Sequence, residues 1–238
     1  MQKIPKIIHQ VWSDVSGPLP EYFKILGETW KEQYSEWDYI LWDNQKINEF
    51  IQKYYPEYWD IYNRYPYNIQ RWDAIRYLIL DKLGGMYVDF DYESISPIDE
   101  LLKDKTCCFA LEPKSHSKVC YRDVQEVFSN ALMASISKHP FMQKIISTVF
   151  SEKMLDYKGP KDICVYNTTG PWVLIDLYYQ LTEKEKESIY LIPAKYVTPF
   201  DLPQAHRLIA GEISEELENC LKDAYAVHYF WGNWRKES

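Results

Sequence analysis

Short apolar runs and longer amphipathic segments alternate along the first half of the chain. The runs Lys6–Trp12 and Trp37–Trp42 are rich in β-branched and aromatic residues, which favours strands. Apolar residues recur at helical intervals in Glu21–Tyr34 and Asn68–Leu83, which favours amphipathic helices that each bury one face. This alternation of strands and helices is typical of an α/β fold with a mostly parallel central sheet flanked by helices.

Two glycines mark the end of the second of these helices. Gly84 and Gly85 are expected to end the helix that begins at Asn68, because glycine takes the left-handed conformation after a helix without a steric penalty. The apolar run Met86–Asp91 then predicts a strand. Further strands are expected at Cys107–Leu111, Asn130–Ser135, Tyr190–Ile192 and Tyr225–Tyr229, and further helices at Gln45–Tyr54, Pro56–Tyr65, His139–Glu152 and Trp172–Leu181.

The 238 residues contain no internal repeat, low-complexity stretch or linker rich in Gly, Ser or Pro. This length is sufficient for one large α/β domain with its own core. We therefore predict a single domain over residues 1–238, with a small helical insertion at about residues 44–66. The 21 Tyr and 9 Trp suit surfaces that bind sugar rings and bases, although an aromatic-rich core explains most of them equally well.

The charge of the chain limits its partners. Acidic residues exceed basic ones, which gives a net charge of −8 and a pI near 5.2. Without a basic stripe to neutralise a phosphate backbone, we predict no nucleic-acid partner. A single phosphorylated small molecule needs only a local site and is compatible with this charge.

The five cysteines predict reduced thiols, because their number is odd and no pair has C-x-x-C spacing. The first residues lack the apolar stretch of a signal peptide, since Pro5 and His9 interrupt them. No run reaches the roughly 18 apolar residues of a membrane span. We therefore expect a cytoplasmic protein with at most peripheral membrane contact.

Two aspartates, Asp89 and Asp91, follow the apolar run Met86–Val88. Side chains two residues apart in a strand point to the same side. We therefore expect both carboxylates at the carboxyl end of a strand, where open α/β sheets bind ligands. A divalent cation held by this pair and a phosphate would explain the motif, and so would a solvated acidic turn.

The preceding helix carries a second polar pair. Asp73 and Arg76 are three residues apart and share a face that is offset from the apolar stripe. They form either a surface ion pair or a fork that binds hydroxyls and phosphate oxygens of a ligand.

Histidines and aromatic residues near two strand ends complete the candidates. His9 lies within the first predicted strand, and Gln10 and Trp12 share one side of it. Trp12 could stack on a base or pack in the core, and His9 could be an ordinary buried histidine. His228 could supply a third metal ligand beside the two carboxylates, or belong to an aromatic cluster that seals the core.

Several motifs of other enzyme classes are absent from the sequence. It has no G-x-S-x-G, no G-x-x-x-x-G-K-[ST] and no G-x-G-x-x-G. Phosphate-loop NTPases and Rossmann dehydrogenases are therefore disfavoured. A metal-dependent phosphohydrolase would need more clustered Asp and His than the sequence contains.

Five segments carry a series of motifs: Ile4–Trp12, Arg71–Asp91, Asn130–Ser135, Thr169–Pro171 and His228–Trp234. In this order they resemble the motif series of glycosyltransferase family 32, the DXD-containing sugar transferases. The pattern D-x-x-R-Y followed by G-G-x-Y-x-D-x-D is the most specific, and it is shared more distantly with the glucosylating domain of large clostridial toxins. The sequence departs from the family at Asn233-Trp234, where Ser-Trp is usual.

The resemblance implies a Rossmann-like GT-A fold and retaining glycosyl transfer from a nucleotide sugar, with Mn²⁺ or Mg²⁺ as cofactor. It assigns metal binding to Asp89, Asp91 and His228. It assigns catalysis to Asp73, Arg76 and Asp89. The donor-binding set that it implies is His9, Gln10, Trp12, Asp73, Arg76, Tyr77, Gly85, Asp89, Asn233 and Trp234.

Taken together, these features predict a metal-dependent hexosyltransferase. A UDP-sugar is the favoured donor, GDP-mannose is an alternative, and the acceptor is a glycan or lipid-linked glycan. We expect a role in bacterial capsular or other surface polysaccharide synthesis, in the cytoplasm at the inner face of the plasma membrane. The alternative is an inactive protein that binds a nucleotide sugar or carbohydrate without turnover.

Overall fold

The computed structural model describes residues 3–119 and 124–232. Within these residues, six strands form a central sheet in the order β2-β1-β3-β6-β5-β7, and β4 and β8 form a separate ribbon. The strands are β1 (Ile7–Val11), β2 (Asp38–Trp42), β3 (Gly85–Val88), β4 (Tyr92–Ser94), β5 (Cys107–Leu111), β6 (Phe128–Ser135), β7 (Ile189–Ile192) and β8 (Ala226–His228).

Five of the six central strands run in the same direction. β1 is parallel to both β2 and β3, and β5 is parallel to β7. β6 is antiparallel to its neighbours β3 and β5. The predicted α/β class with a mostly parallel sheet is therefore confirmed, and the carboxyl ends of β1, β3 and β5 meet at one edge.

The helices of the described residues cover both faces of the sheet. They are α1 (Glu21–Gln33), α2 (Asn44–Tyr54), α3 (Trp59–Arg64), α4 (Asn68–Leu83), α5 (Asp99–Leu102), α6 (Lys114–Val119), α7 (Pro140–Val149), α8 (Glu152–Leu155), α9 (Lys161–Thr168), α10 (Pro171–Tyr179), α11 (Glu183–Lys186), α12 (Ala194–Val197), α13 (Leu202–Ile209) and α14 (Glu215–Leu221). Two 3-10 helices lie at Asp14–Ser16 and Pro56–Tyr58. The segment predicted as a helical insertion holds α2 and α3, which pack against α4. The sequence pattern had not indicated α5, α6, α9 or any of the helices α11 to α14.

The sheet separates two apolar cores. Along β3, Tyr87 faces the core shared with α2, α4, α7 and α10. Met86 and Val88 face the other core, which includes Trp30 of α1 and Tyr34 directly after that helix. This alternation follows from the pleat of a strand, which sends successive side chains to opposite faces.

α4 is buried on nearly every side, so the prediction of an amphipathic helix is wrong. Every residue from Asp73 to Asp81 is buried, including Asp73 and Arg76. The helix lies against the sheet and is also covered by α2, α3, α7 and α9. The sequence pattern alone does not reveal this second layer of helices. A polar pair such as Asp73 and Arg76 looks the same in the sequence whether it is buried in the protein or exposed to solvent.

β3 ends at Val88, three residues before the predicted end of the strand. Asp89, Phe90 and Asp91 form a turn instead, in which the N–H of Tyr92 donates to the carbonyl oxygen of Asp89 at 3.2 Å. The chain reverses here because Tyr92 begins β4, which pairs with β8 rather than with the central sheet. The aspartates therefore lie at the predicted sheet edge, but the turn and not a strand pleat orients them.

Gly85→Ala should destabilise the protein by about 3 kcal/mol or more. Gly85 has φ +100°, and a Cβ there would lie 2.6 Å from the carbonyl oxygen of Ile7 in the neighbouring strand. Gly211 also has positive φ, but a Cβ there would meet open space. Gly211→Ala should cost only about 1 kcal/mol of backbone strain. Equal losses in denaturant unfolding would contradict the proposed clash with β1.

Candidate active site

The turn Asp89–Tyr92 lies at the carboxyl end of β3, between two networks of polar residues. One network reaches it from α4 and β6, and the other from the β4–β8 ribbon. In the ribbon, Tyr92 pairs with His228, and this register brings the end of β8 to Asp91. The last described residues, through Gly232, continue past the turn.

Asp91 is held by the segment that follows β8. Its Oδ2 accepts a hydrogen bond from the N–H of Trp231 at 3.0 Å, and its Oδ1 lies 3.3 Å from Nε2 of His228. Its carbonyl oxygen accepts from the N–H of Tyr229 at 2.9 Å. The Asp91 side chain retains 14% exposure, so a ligand can reach it.

His228 is buried beside Asp91 and stacks on Tyr92, with ring centroids 4.3 Å apart and an interplanar angle of 8°. Burial by itself opposes ionisation of both groups. Their mutual attraction outweighs burial, so the pKa of Asp91 is lowered and that of His228 is raised. Nδ1 of His228 is buried and has no hydrogen-bond partner among the described residues.

Asp89 points towards α4 and is clamped there. The hydroxyl of Tyr87 donates to its Oδ1 at 2.5 Å, and Arg76 donates to Oδ2 through Nη1 at 3.2 Å and approaches Oδ1 through Nη2 at 3.1 Å. Burial raises the pKa of Asp89 despite the neighbouring guanidinium. Its side chain is 25% exposed, the most accessible of the three site carboxylates.

Arg76 forms the centre of this network. Besides its fork on Asp89, Nη1 donates to the carbonyl oxygen of Asn130 at 3.1 Å, Nε donates to that of Trp72 at 3.2 Å, and Nη2 lies 3.4 Å from Asp73. The guanidinium also lies 4.7 Å from the centre of the Tyr87 ring. The guanidinium is thus surrounded by protein acceptors, which leaves little of it open to direct contact with a ligand.

Asp73 is the deepest of the carboxylates. Nδ2 of Asn130 donates to its Oδ1 at 2.9 Å, and the hydroxyl of Thr169 donates to its Oδ2 at 3.1 Å. Burial raises its pKa to about 6, although Arg76 and these hydrogen bonds oppose the rise. Tyr77 joins the same network, because its hydroxyl donates to the carbonyl oxygen of Thr169 at 2.6 Å.

Three members of the network were not predicted: Tyr87, Asn130 and Thr169. The sequence did contain a signal, since Asn130 and Thr169 each begin one of the five motif segments. Only the packing of β6 and of the turn before α10 against α4 brings them to Asp73, from positions 57 and 96 residues away in the chain.

The predicted residues of the first strand occupy two different places. Gln10 and Trp12 lie at the turn that carries Asp89 and Asp91, here called the DXD turn. The Gln10 amide is 3.4 Å from the carbonyl oxygen of Val88, and the Trp12 ring packs edge-on against Phe90. His9 lies in the interior, where Nε2 contacts the carbonyl oxygen of Gly84 at 2.9 Å and Nδ1 accepts from Trp42 at 3.2 Å. Both ring nitrogens of His9 are used, which favours a structural role.

His9 should make the stability of the protein depend on pH. Burial lowers its pKa to about 4, whereas in the unfolded chain it titrates near 6.5. Between these values the unfolded chain binds the extra proton. The stabilisation is therefore present above pH 6.5 and is lost as the pH falls towards 4, by up to about 3 kcal/mol.

Denaturant unfolding at neutral pH and at mildly acidic pH would test this. His9→Gln should remove much of the acid-induced loss, and replacement of the exposed His206 should leave it as in the wild type. An unchanged loss in His9→Gln would mean that other groups cause it.

The remaining predicted donor residues are Tyr77, described above, Gly85, Asn233 and Trp234. Gly85 is buried against β1 and allows the close approach of β3 to that strand. Asn233 and Trp234 lie outside the described residues.

The chemistry of the turn fits a divalent cation. Among the described residues, no three His, Cys, Asp or Glu side chains converge closely enough to hold a metal, so Asp89, Asp91 and His228 do not form a complete ligand set. Mg²⁺-like ions are commonly bound by one or two carboxylates together with phosphate oxygens of the substrate. Asp89 and Asp91 meet that requirement, and His228 orients Asp91.

A Rossmann-like sheet with an acidic D-x-D turn at the end of a central strand is the arrangement of the GT-A fold. Residues 20–108 match the family model of the glycosyltransferase sugar-binding region containing the DXD motif. The chain belongs to this family of DXD-containing sugar transferases, glycosyltransferase family 32. In this fold the DXD motif typically serves a divalent metal.

Two curated relatives come from yeasts. Inositol phosphoceramide mannosyltransferase 1 of Schizosaccharomyces pombe is 31% identical over 82% of this chain and 57% of its own length. Mannosyl phosphorylinositol ceramide synthase SUR1 of Saccharomyces cerevisiae is 33% identical over 75% of this chain and 43% of its own. The chain thus spans about half the length of these relatives. Among solved structures, the PaToxG glycosyltransferase has the same fold, with a TM-score of 0.57 and 16% identity over 94% of this chain and 89% of that one.

The predicted location is wrong. We expected a cytoplasmic enzyme at the inner face of a bacterial plasma membrane, but the relatives described above come from eukaryotes. The described residues contain no helix that is long and apolar enough to cross a membrane.

Proposed function

We propose that this protein transfers mannose from a nucleotide sugar such as GDP-mannose to the inositol phosphate headgroup of a lipid. The observation that carries this proposal is the alignment with an inositol phosphoceramide mannosyltransferase, which is 31% identical over 82% of the chain. This proposal replaces the bacterial polysaccharide acceptor and the UDP-sugar donor that we expected from the sequence.

The geometry of the site supports glycosyl transfer more than mere binding. Asp89 and Asp91 present partly exposed oxygens, and each is oriented by at least two protein donors. Such preorganisation is costly for stability, because it buries Arg76 with two carboxylates, and it is expected where charge develops during a reaction. This favours an enzyme over the inactive binding protein that we considered as the alternative.

Each residue of the network has a distinct part in the proposed reaction. Tyr87 and Arg76 fix Asp89, and Arg76 is in turn positioned by Asp73. His228 and the N–H of Trp231 fix Asp91. A divalent cation, Mn²⁺ or Mg²⁺, would be held by Asp89 and Asp91 and would neutralise charge on the leaving diphosphate.

We propose transfer on the face that the diphosphate leaves, which retains the configuration of the sugar. The bond between the sugar and the diphosphate breaks, the acceptor hydroxyl forms the new bond, and its proton passes to a diphosphate oxygen. Asp73 is buried and tied to Asn130, Thr169 and Arg76, so its carboxylate is not free to attack the sugar. Detection of a covalent glycosyl-enzyme by mass spectrometry would disprove this mechanism.

The proposed function can be tested by a screen of nucleotide sugars. With Mn²⁺ present, GDP-mannose at a hundred times its Kd should stabilise the fold by about 2.7 kcal/mol. It should be hydrolysed faster than UDP-hexoses, and its mannose should reach inositol phosphoceramide. Metal-dependent stabilisation without hydrolysis or transfer would instead support the inactive binding protein, and a preference for a UDP-hexose would overturn the mannosyl donor.

A further inference from the structure

The β4–β8 ribbon has two faces of different character. Tyr92 and His228 are paired across the ribbon and stacked on each other, and His228 lies against Asp91. The next pair, Glu93 and Val227, lies on the opposite face, because side chains alternate along a strand. This opposite face forms the floor of a groove with a volume of about 540 Å³, between α1 on one side and α13 and α14 on the other.

The walls of this groove are mainly aliphatic and exposed. Ile25 of α1 is 61% exposed, Ile95 beyond β4 is 40% exposed, and Ile209 of α13 is 41% exposed. All three line the same groove. Isolated exposed apolar residues are ordinary, but a continuous apolar surface of this kind commonly marks a binding site.

Two polar side chains on the floor of the groove, Glu93 and Tyr229, are paired with each other. The hydroxyl of Tyr229 donates a hydrogen bond to the carboxylate of Glu93. A peptide segment with unpaired N–H and C=O groups would find little to bind there, whereas an alkyl chain makes no such demand. The shape and chemistry of the groove therefore favour an aliphatic chain.

The groove begins where the candidate active site ends. Trp231 lines it and packs at a tilt against Tyr22 of α1, with ring centroids 4.7 Å apart. The backbone N–H of the same Trp231 donates to Asp91. Tyr229 likewise lines the groove while its N–H donates to the carbonyl oxygen of Asp91. A molecule lying in the groove can thus place its end at the DXD turn.

We propose that this groove binds the aliphatic chain of the lipid acceptor, with the headgroup at the Trp231 end facing Asp91. This assignment rests on the proposed function, since it extends the acceptor from its headgroup to its hydrocarbon chain. A groove of this volume lies within the usual size range of small-molecule sites. Each methylene that enters it should improve binding by about fourfold until the groove is full.

Aspartate substitutions in the groove test the proposal. Ile25→Asp and Ile209→Asp place a charge in the apolar wall but lie on exposed helix surfaces, so both variants should fold. Ile213→Asp is the matched control, because Ile213 is 85% exposed in the segment between α13 and α14 and does not line the groove. Inositol phosphoceramides with a short or a long acyl chain and the same headgroup serve as acceptors. Hydrolysis of GDP-mannose without an acceptor shows whether the donor site is intact.

The wild type should prefer the long-chain acceptor by tenfold or more in kcat/KM. The two groove variants should lose most of this preference and keep donor hydrolysis, and Ile213→Asp should behave as the wild type. A wild type indifferent to chain length, or groove variants that keep the preference, would overturn the groove while leaving the proposed function intact.

Binding of a fluorescently labelled long-chain inositol phosphoceramide, measured without turnover, separates the two proposals. If the wild type binds the lipid without transferring mannose, and Ile25→Asp abolishes that binding, the result would support the groove and defeat the proposed function. The groove would be disproved if the wild type and the groove variants bound plain phosphatidylcholine vesicles equally and none of them bound the labelled lipid.

Discussion

Asp91→Asn should lower glycosyl transfer by about a thousandfold, equivalent to about 4 kcal/mol of transition-state stabilisation. Asp91 is the candidate metal ligand with its pKa lowered by His228, so it is ionised and available to a cation. The substituted amide is nearly isosteric and retains an oxygen that accepts from the N–H of Trp231. The fold should therefore survive, and only the charge at the turn should be lost.

The measurement pairs activity with metal-dependent thermal stabilisation by the nucleotide sugar. Asp91→Asn should lose both, while its unfolding without ligand stays close to that of the wild type. Asp223→Asn is the matched control, because Asp223 is an exposed carboxylate whose partner is Lys195. Activity of Asp91→Asn near the wild-type value would show that the metal assignment is wrong.

Arg76→Met should destabilise the protein by about 3–5 kcal/mol, because it leaves the buried Asp73 and the partly exposed Asp89 without their cation. The side chains of Arg76 and Asp73 are 7% and 6% exposed, so water compensates Asp73 little, whereas Asp89 is 25% exposed and is partly hydrated. For a chain of this size the loss corresponds to roughly 6–20 °C in Tm. Transfer activity should fall as well, since Asp89 loses its clamp.

A second substitution distinguishes this charge imbalance from a simple loss of packing. The double variant Asp73→Asn with Arg76→Met buries one charge fewer, so it should be more stable than Arg76→Met alone. Arg64→Met is the control, because Arg64 pairs with Asp60 and Glu152 on the exposed surface and should tolerate the change. If the double variant loses the sum of the two single losses, the buried charges are not coupled.

Much of the fold was predictable from local patterns. The strand Cys107–Leu111 has the predicted bounds, β2 and α1 differ from the predictions by one residue at one end, and β1 differs by one residue at each end. These segments have a clear periodicity of apolar residues, a composition suited to a strand or a helix, and residues that end the element. Their local preferences therefore agree with the tertiary fold. The short helices α13 and α14 were missed because each is stabilised by capping and packing rather than by a long periodic pattern.

The candidate site was predictable in part. The DXD pair, Asp73, Arg76 and His228 were identified, and the structure brings all five side chains to the end of β3. Their roles as donor or metal ligands stay predictions. The enclosure of Arg76 by protein acceptors and the burial of His9 could not be inferred from the sequence, because burial depends on which helices cover an element.

The sequence by itself determined the α/β class, the position of the acidic turn after an apolar strand and the family to which the chain belongs, since these follow from periodicity and from closely spaced motifs. Only the tertiary structure decided that Asp89 and Asp91 lie in a turn, that Asn130 and Thr169 hold Asp73, and that the reverse face of the β4–β8 ribbon is an apolar groove. Each of these depends on contacts between residues distant in the chain. Local propensity carries no information about such contacts, because the free energy that forms them comes from burial and pairing in the assembled fold.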